Sequence, residues 1–235
     1  MATEGGPNII TDGLVLALDT ANVKSYPETG TTWYDLSGYN NHGELVNGPT
    51  FSSDGGGSIS FDGINDIIYL PFVLDTSTNF TIEVTVKNTT MISEPTPQNR
   101  QTVWAFTTDT SQGYQLLDLE IWNNGVSSFN GNNVSYTPSL LSNFILGDAN
   151  STKIYTLSKS GSSQSWYVNS DIKGVVNQTY TGISQYFKLG GRSTGSSGGG
   201  QPWNGPVYIV RIYNRALTAT EVLQNYNATK ARFGL

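Results

Sequence analysis

The sequence predicts an all-β fold: a two-sheet antiparallel sandwich of the jelly-roll type with one short C-terminal helix. Three observations predict it. Short alternating or apolar runs, about a dozen of them, recur between turns rich in Gly, Asn, Asp and Ser, the spacing of a sandwich or jelly roll. A single helix signature stands near the end of the chain. Cysteine is absent from the 235 residues, which excludes a disulfide framework, thiolate zinc sites and cysteine nucleophiles. A chain this long buries enough surface to need no such staple.

The expected strands are, in order, Leu14–Asp19, Gly43–Val46, Ser58–Phe61, Asp66–Leu70, Phe80–Lys87, Gln101–Thr107, Tyr114–Trp122, Val126–Phe129, Lys153–Lys159, Gln164–Val168, Tyr186–Leu189 and Val207–Tyr213. The clearest alternation is in Phe80–Lys87. Ile82, Val84 and Val86 take one face and Thr81, Glu83, Thr85 and Lys87 the other, which predicts one face on a core and one in water. Ser160-Gly161-Ser162-Ser163 reads as a hairpin turn. Thr218-Ala219-Thr220-Glu221 is a capping box. Val222, Leu223 and Tyr226 follow it on one face, Lys230 and Arg232 suit the negative end of the dipole, and Gly234 stops the helix. So short a terminal helix is expected to plug an edge or end of the sandwich. Ser193–Gly200 reads as a surface loop. No repeat or linker divides the chain, so residues 1–8 read as an arm and 9–235 as one domain.

Charged residues make up only 13% of the chain, against about 25% in ordinary globular proteins. A surface of hydroxyls and amides suits work outside a cell. The net charge of −6 argues against nucleic acid and anionic membranes as partners. Met1–Pro7 has neither the basic nor the apolar region of a secretory signal. The apolar stretch Leu14–Leu18 falls far short of a membrane span. The expectation is a cytosolic protein or one released by lysis, as inside a virus particle. Asn-x-Ser/Thr triplets at Asn79, Asn88, Asn133, Asn150, Asn177 and Asn227 read as chance in so Asn- and Thr-rich a chain.

Several segments carry a resemblance. They are Gly13–Asp19; Trp33-Tyr34-Asp35-Leu36-Ser37-Gly38 followed by Asn40-Asn41-His42-Gly43; Ser60-Phe61-Asp62-Gly63-Ile64-Asn65-Asp66; Trp203-Asn204-Gly205; and Arg211–Thr218. In this order they resemble the opening strand, the two turn motifs and the closing strand of the concanavalin A-like lectin/glucanase superfamily, in its laminin-G-like branch. The stretch from Tyr213 to Leu235 is similar to the tails of bacteriophage virion proteins. The resemblance implies a concanavalin A-like jelly roll and a virion location. The implied partners are other virion subunits and further copies of the chain, with surface glycans as a possible contact. Beside it stands the physics of the same residues. Gly38, Gly43 and Gly63 sit where the chain turns sharply and φ is expected to be positive. Asp35 and Asp62 are placed to accept from amides two residues on. Trp33 and Phe61 supply apolar bulk.

Glucan-cleaving members of that superfamily carry Glu-x-Asp-x-(x)-Glu on one strand, two carboxyls serving as nucleophile and acid. The matching stretch here is Leu116-Leu117-Asp118-Leu119-Glu120-Ile121-Trp122. Leu116 stands where the nucleophile is expected, so no catalysis is expected. Tyr114, Leu116, Asp118, Glu120 and Trp122 share a face by period two, with Leu117, Leu119 and Ile121 on the core side. An open face with carboxylates beside a ring is one way to hold a sugar, which makes Tyr114, Asp118, Glu120 and Trp122 the candidate carbohydrate contacts. Trp166, Tyr167 and Trp203 are weaker candidates for the same role, each read first as a core residue. His42, the single histidine, reads as a turn residue, and no metal site or cofactor is assigned. Calcium stays open, because Asp12, Asp19, Asp62 and Asp66 supply loop oxygens; against it, Tyr208 and Ile209 stand where the resemblance expects an acid. Gly190-Gly191-Arg192 lacks the spacing of a phosphate loop. The leading expectation is a non-catalytic virion surface protein, a capsid decoration or a neck or tail appendage; the alternative is a stand-alone carbohydrate-binding lectin module.

Overall fold

The computed structural model describes residues 7–87, 89, 101–107, 115–121, 127–128, 151–177, 183–184, 186–191 and 201–235. Its strands run β1 Leu14–Asp19, β2 Thr32–Trp33, β3 Gly43–Val46, β4 Thr50–Ser52, β5 Ser58–Asp62, β6 Ile67–Leu70, β7 Leu74–Asp75, β8 Phe80–Lys87, β9 Gln101–Thr107, β10 Gln115–Ile121, β11 Ser127–Ser128, β12 Thr152–Ser160, β13 Ser163–Val168, β14 Asp171–Asn177, β15 Ile183–Ser184, β16 Tyr186–Leu189 and β17 Asn204–Tyr213. Helix α1 spans Ala219–Thr229 and runs into a 3-10 turn at Lys230–Phe233. Each expected strand is present within a few residues of its expected bounds. The sequence reading missed β2, β4, β7, β14 and β15. Four of these have only two or three residues, and the exposed β14 lacks a clean alternation.

The strands form two main antiparallel sheets. One runs β14-β13-β12-β8-β17-β5-β4, with β1 also on β17; the other runs β11-β10-β9-β16-β6-β3-β2. Between them lies the main core, in which Leu16, Trp33, Phe61, Ile68, Val84, Trp104, Phe106, Phe187, Trp203 and Val210 are buried. Trp166 lies in the same core, and Tyr167 in a second cluster. The architecture is the two-sheet jelly-roll sandwich that the periodicity predicts. The hairpin is also as expected: β12 and β13 pair up to Ser160 opposite Ser163, with Gly161 at φ 59.

The outer face of the eight-stranded sheet departs from expectation. Thr81, Glu83 and Thr85 do point away from Ile82, Val84 and Val86, but all three are buried. The reason is α1. It lies on this face instead of plugging an edge or end. Val222 packs with Tyr167, Tyr213 and Leu217, and Asn225 Nδ2 donates to Glu83 Oε2 and to the Tyr213 hydroxyl. The capping box forms as read, with Thr218 and Glu221 bonding reciprocally. The helix's buried residues, however, are Val222, Asn225 and Thr229, whereas Leu223 is exposed. A helix resting on a charged pair needs amide and hydroxyl groups beneath it, so its inward side is half polar. Beyond the helix, Arg232 bonds Asp19 Oδ1 at 2.6 Å and the carbonyls of Gly55 and Gly57. This ties the C-terminus to the end of β1. At the other end, Asn8 and Ile10 hydrogen-bond Gln224 and Asn225; residues 1–6 of the expected arm lie outside the described residues.

Gly38 and Gly63 adopt positive φ, 93° and 77°. Gly43 does not. It sits in β3, where an added Cβ would stand 2.9 Å from Ile68 Cγ2, so close packing and not turn geometry requires it.

Candidate functional site

Helix α1 covers one outer sheet face. The outer face of the seven-stranded sheet carries no helix among the described residues, and the strand register defines it. Residues opposite one another on adjacent strands share a face. One row therefore runs Asp118–Ala105–Lys188–Tyr69–Glu44–Thr32 across six strands, from β10 to β2. Its neighbours Leu117, Phe106, Phe187, Leu70 and Leu45 point into the core.

The row changes character along its length. Asp118 and Glu120 are fully buried, at 0% exposure, and Lys188 at 1%. The open face expected at Asp118 and Glu120 is therefore closed at both carboxylates. Tyr114 and Trp122, expected beside them, lie outside the described residues, as does Ser193–Gly200. The row opens in the other direction. Tyr69 is half-buried and Glu44 exposed, and the Lys188 ammonium lies 5.5 Å from the centre of the Tyr69 ring, within cation–π range.

At the sheet edge the pattern continues one step past β2. Trp33 pairs with Gly43, which sets Tyr34 opposite His42, and their rings meet edge to face at 5.3 Å. Tyr34 keeps 42% of its surface exposed. Its backbone is fixed from both sides, its N–H donating to the Ser25 carbonyl and its own carbonyl accepting from Ser25 Oγ, each at 2.7 Å. The loop that follows is gathered around one carboxylate. Asp35 Oδ1 accepts from the amides of Ala17 and Ser37, and Oδ2 from the Asn41 amide and the Ser37 hydroxyl. The Asp35 amide donates to His42 Nδ1 at 3.0 Å, so that nitrogen carries no proton. Asp35, and likewise Asp62 through the Ile64 amide, accept two residues on as the sequence predicts, whereas His42, expected in a turn, lies in the irregular segment that leads into β3.

The open end of this face thus sets a carboxylate, Glu44, among the rings of Tyr69, Tyr34 and His42. Sequence reasoning placed rings and carboxylates together on β10, whereas the described residues bring them together on β2, β3 and β6. The signal that could have marked Glu44 and Tyr69 is their place in Gly43-Glu44-Leu45-Val46 and Ile67-Ile68-Tyr69-Leu70, each flanked by inward apolar residues. The pairing that sets them side by side is not written in either segment.

Three of the four aspartates considered for calcium have partners within the fold. Asp19 holds Arg232 and the Ala21 amide. Asp12 lies 2.8 Å from Arg215. Asp66, buried, accepts from the Asp62 amide, and its burial raises its carboxyl above the usual range, helped by the charge of Asp62. Among the described residues no three acidic or histidine side chains gather into a group that could hold a metal ion.

No protein-family model matches the chain, and no curated protein matches it. Solved structures do match in fold. Trypanosoma rangeli sialidase in complex with the inhibitor DANA aligns with a TM-score of 0.65 at 17% identity, covering 96% of this chain and 36% of the sialidase. Domain 4 of AbnA, a GH43 extracellular arabinanase from Geobacillus stearothermophilus, in complex with arabinotriose, aligns with a TM-score of 0.66 at 16% identity, covering 95% of this chain and 100% of that domain. The botulinum neurotoxin serotype D binding domain aligns with a TM-score of 0.64 at 13% identity, covering 92% of this chain and 52% of that one. The chain spans about a third of the length of the sialidases it matches. These likenesses establish a β-sandwich shared with carbohydrate-binding and glycosidase proteins.

Proposed function

We propose that this chain is a non-catalytic, lectin-like module that binds glycans on the outer face of its seven-stranded sheet. One observation carries the reading: the exposed Glu44 carboxylate stands beside the half-buried Tyr69 ring at the end of the sheet face where, among the described residues, no helix lies. Rings offer flat apolar surface to the C–H face of a sugar, and a carboxylate accepts from its hydroxyls; a few polar groups set among aromatic surface is the usual make-up of a binding site. The domain of AbnA solved with arabinotriose has the same fold over its full length, which supports a binding module.

The reading is non-catalytic because the carboxyls that align with a hydrolase motif, Asp118 and Glu120, have no exposed surface, and Leu116 replaces the third. The comparisons lend no support to the virion placement that the tail resemblance implies, so glycan binding is proposed ahead of it. The test is binding of the whole chain to a glycan array, followed by titration of the best ligand. Glu44→Ala should weaken that ligand by at least about tenfold, the worth of one hydrogen bond to a charged group. No binding to any glycan, or full affinity in Glu44→Ala and Tyr69→Ala alike, would overturn the reading.

A further inference from the structure

The direction and extent of the face carry a more specific statement, which rests on the glycan reading above. Lys188, Tyr69, Glu44 and Thr32 lie side by side on β16, β6, β3 and β2. At the ordinary spacing between strands the accessible part of this row, from Tyr69 to Thr32, is roughly 10 Å long, more than one sugar ring covers. It runs across the strands and not along them. At one end it descends to Lys188, which is buried. At the other it meets β2, the edge strand of the sheet, and there Tyr34 holds an exposed ring.

Tyr34 has the properties of a platform set in advance. Ser25 fixes its backbone from both sides, the His42 ring braces it edge-on, and the Asp35 carboxylate gathers the loop behind it. A ring already held in place loses little conformational freedom when a ligand stacks on it. Core packing does not account for the ring either, since Trp33, the residue before it, supplies the buried side chain at this edge.

We propose that the bound glycan is an extended chain of several sugar rings, lying across the strands from Tyr69 and leaving the protein over Tyr34 at the β2 edge. Glu44 and Thr32 face the middle of that chain. Tyr34 contacts only a ligand long enough to reach the edge.

The experiment is titration of the full chain with a ladder of neutral oligosaccharides, from disaccharide to hexasaccharide, of the linkage selected on the array. Affinity should rise along the ladder. Tyr34→Ala should remove that rise, weakening the hexasaccharide by about tenfold more than the disaccharide, and Tyr34→Phe, which keeps the ring, should restore it. Circular dichroism checks that each variant is folded. A flat ladder in the wild type, or equal weakening of short and long ligands by Tyr34→Ala, would overturn the extended-chain proposal and leave glycan binding standing. Failure of the wild type to bind any member would remove both.

Discussion

Arg211 Nη1 lies 2.5 Å from Glu83 Oε1, an ion pair with side chains only 7% and 1% exposed, sealed between the eight-stranded sheet and α1. The two residues face each other on β17 and β8. The helix completes their hydrogen bonding: Asn225 reaches the second Glu83 oxygen, and Thr229 Oγ1 accepts from Arg211.

Removing one partner should therefore be costly. Arg211→Ala leaves a carboxylate buried without its cation, and the expected loss is about 3–5 kcal/mol of unfolding free energy, read from urea denaturation. The double replacement Glu83→Leu with Arg211→Met should lose far less, because no charge is stranded and Asn225 and Thr229 keep partners in the Tyr213 hydroxyl and the Asn225 carbonyl. Equal losses in the single and double variants would show that packing, not the charge, holds the helix down.

This pair also marks how far the sequence could be read. Alternation in Phe80–Lys87 correctly divides Ile82, Val84 and Val86 from Glu83, but it reports only which side a residue takes, not what covers that side. The cover comes from a helix more than a hundred residues away, and its polar inward residues Asn225 and Thr229 make sense only over a buried charge. The same limit applies at the candidate site. Asp118 and Glu120 share a face, as period two requires, yet their burial follows from tertiary structure. Glu44 and Tyr69 become neighbours through the β3–β6 register, which no local pattern encodes. Local hydrogen-bond chemistry was fully legible: the Thr218 capping box, and the Asp35 and Asp62 turns, need only residues a few positions apart.

The capping box makes stability depend on acid pH. Glu221 accepts from both terminal nitrogens of Arg215, at 2.7 and 3.0 Å, and from the Thr218 amide. Chiefly through Arg215, against the opposing effect of burial and with help from Thr218, its carboxyl is pulled down from 4.5 to about 2. Its folded value lies below its unfolded one, so its contribution is complete above about pH 4.5 and is lost as the pH falls toward 2. Melting temperatures of the wild type and Glu221→Gln, measured through this window, should differ most near pH 5 and converge toward pH 2. A constant gap would mean that the carboxylate charge does not contribute.

Asp35 should couple the order of the Tyr34 loop to the stability of the sandwich. Its carboxylate is buried and joins three backbone amides from β1 and the loop with the Ser37 hydroxyl. Asp35→Ala strands the Ala17 and Asn41 amides, and hydrogen bonds to a charged group contribute about 1.5–3 kcal/mol each. A loss of about 3 kcal/mol is expected, at the upper end of ordinary single substitutions. Because the loss is local, hydrogen exchange should speed up at Ala17, Ser37 and Asn41 by more than at Val84 or Val210 in the core. If Tyr34 is the platform proposed for long glycans, Asp35→Ala should also reduce hexasaccharide affinity while sparing the disaccharide, since the ring remains but its placement relaxes. Uniform acceleration of exchange across the sheet would instead show that Asp35 supports the whole fold and not the loop.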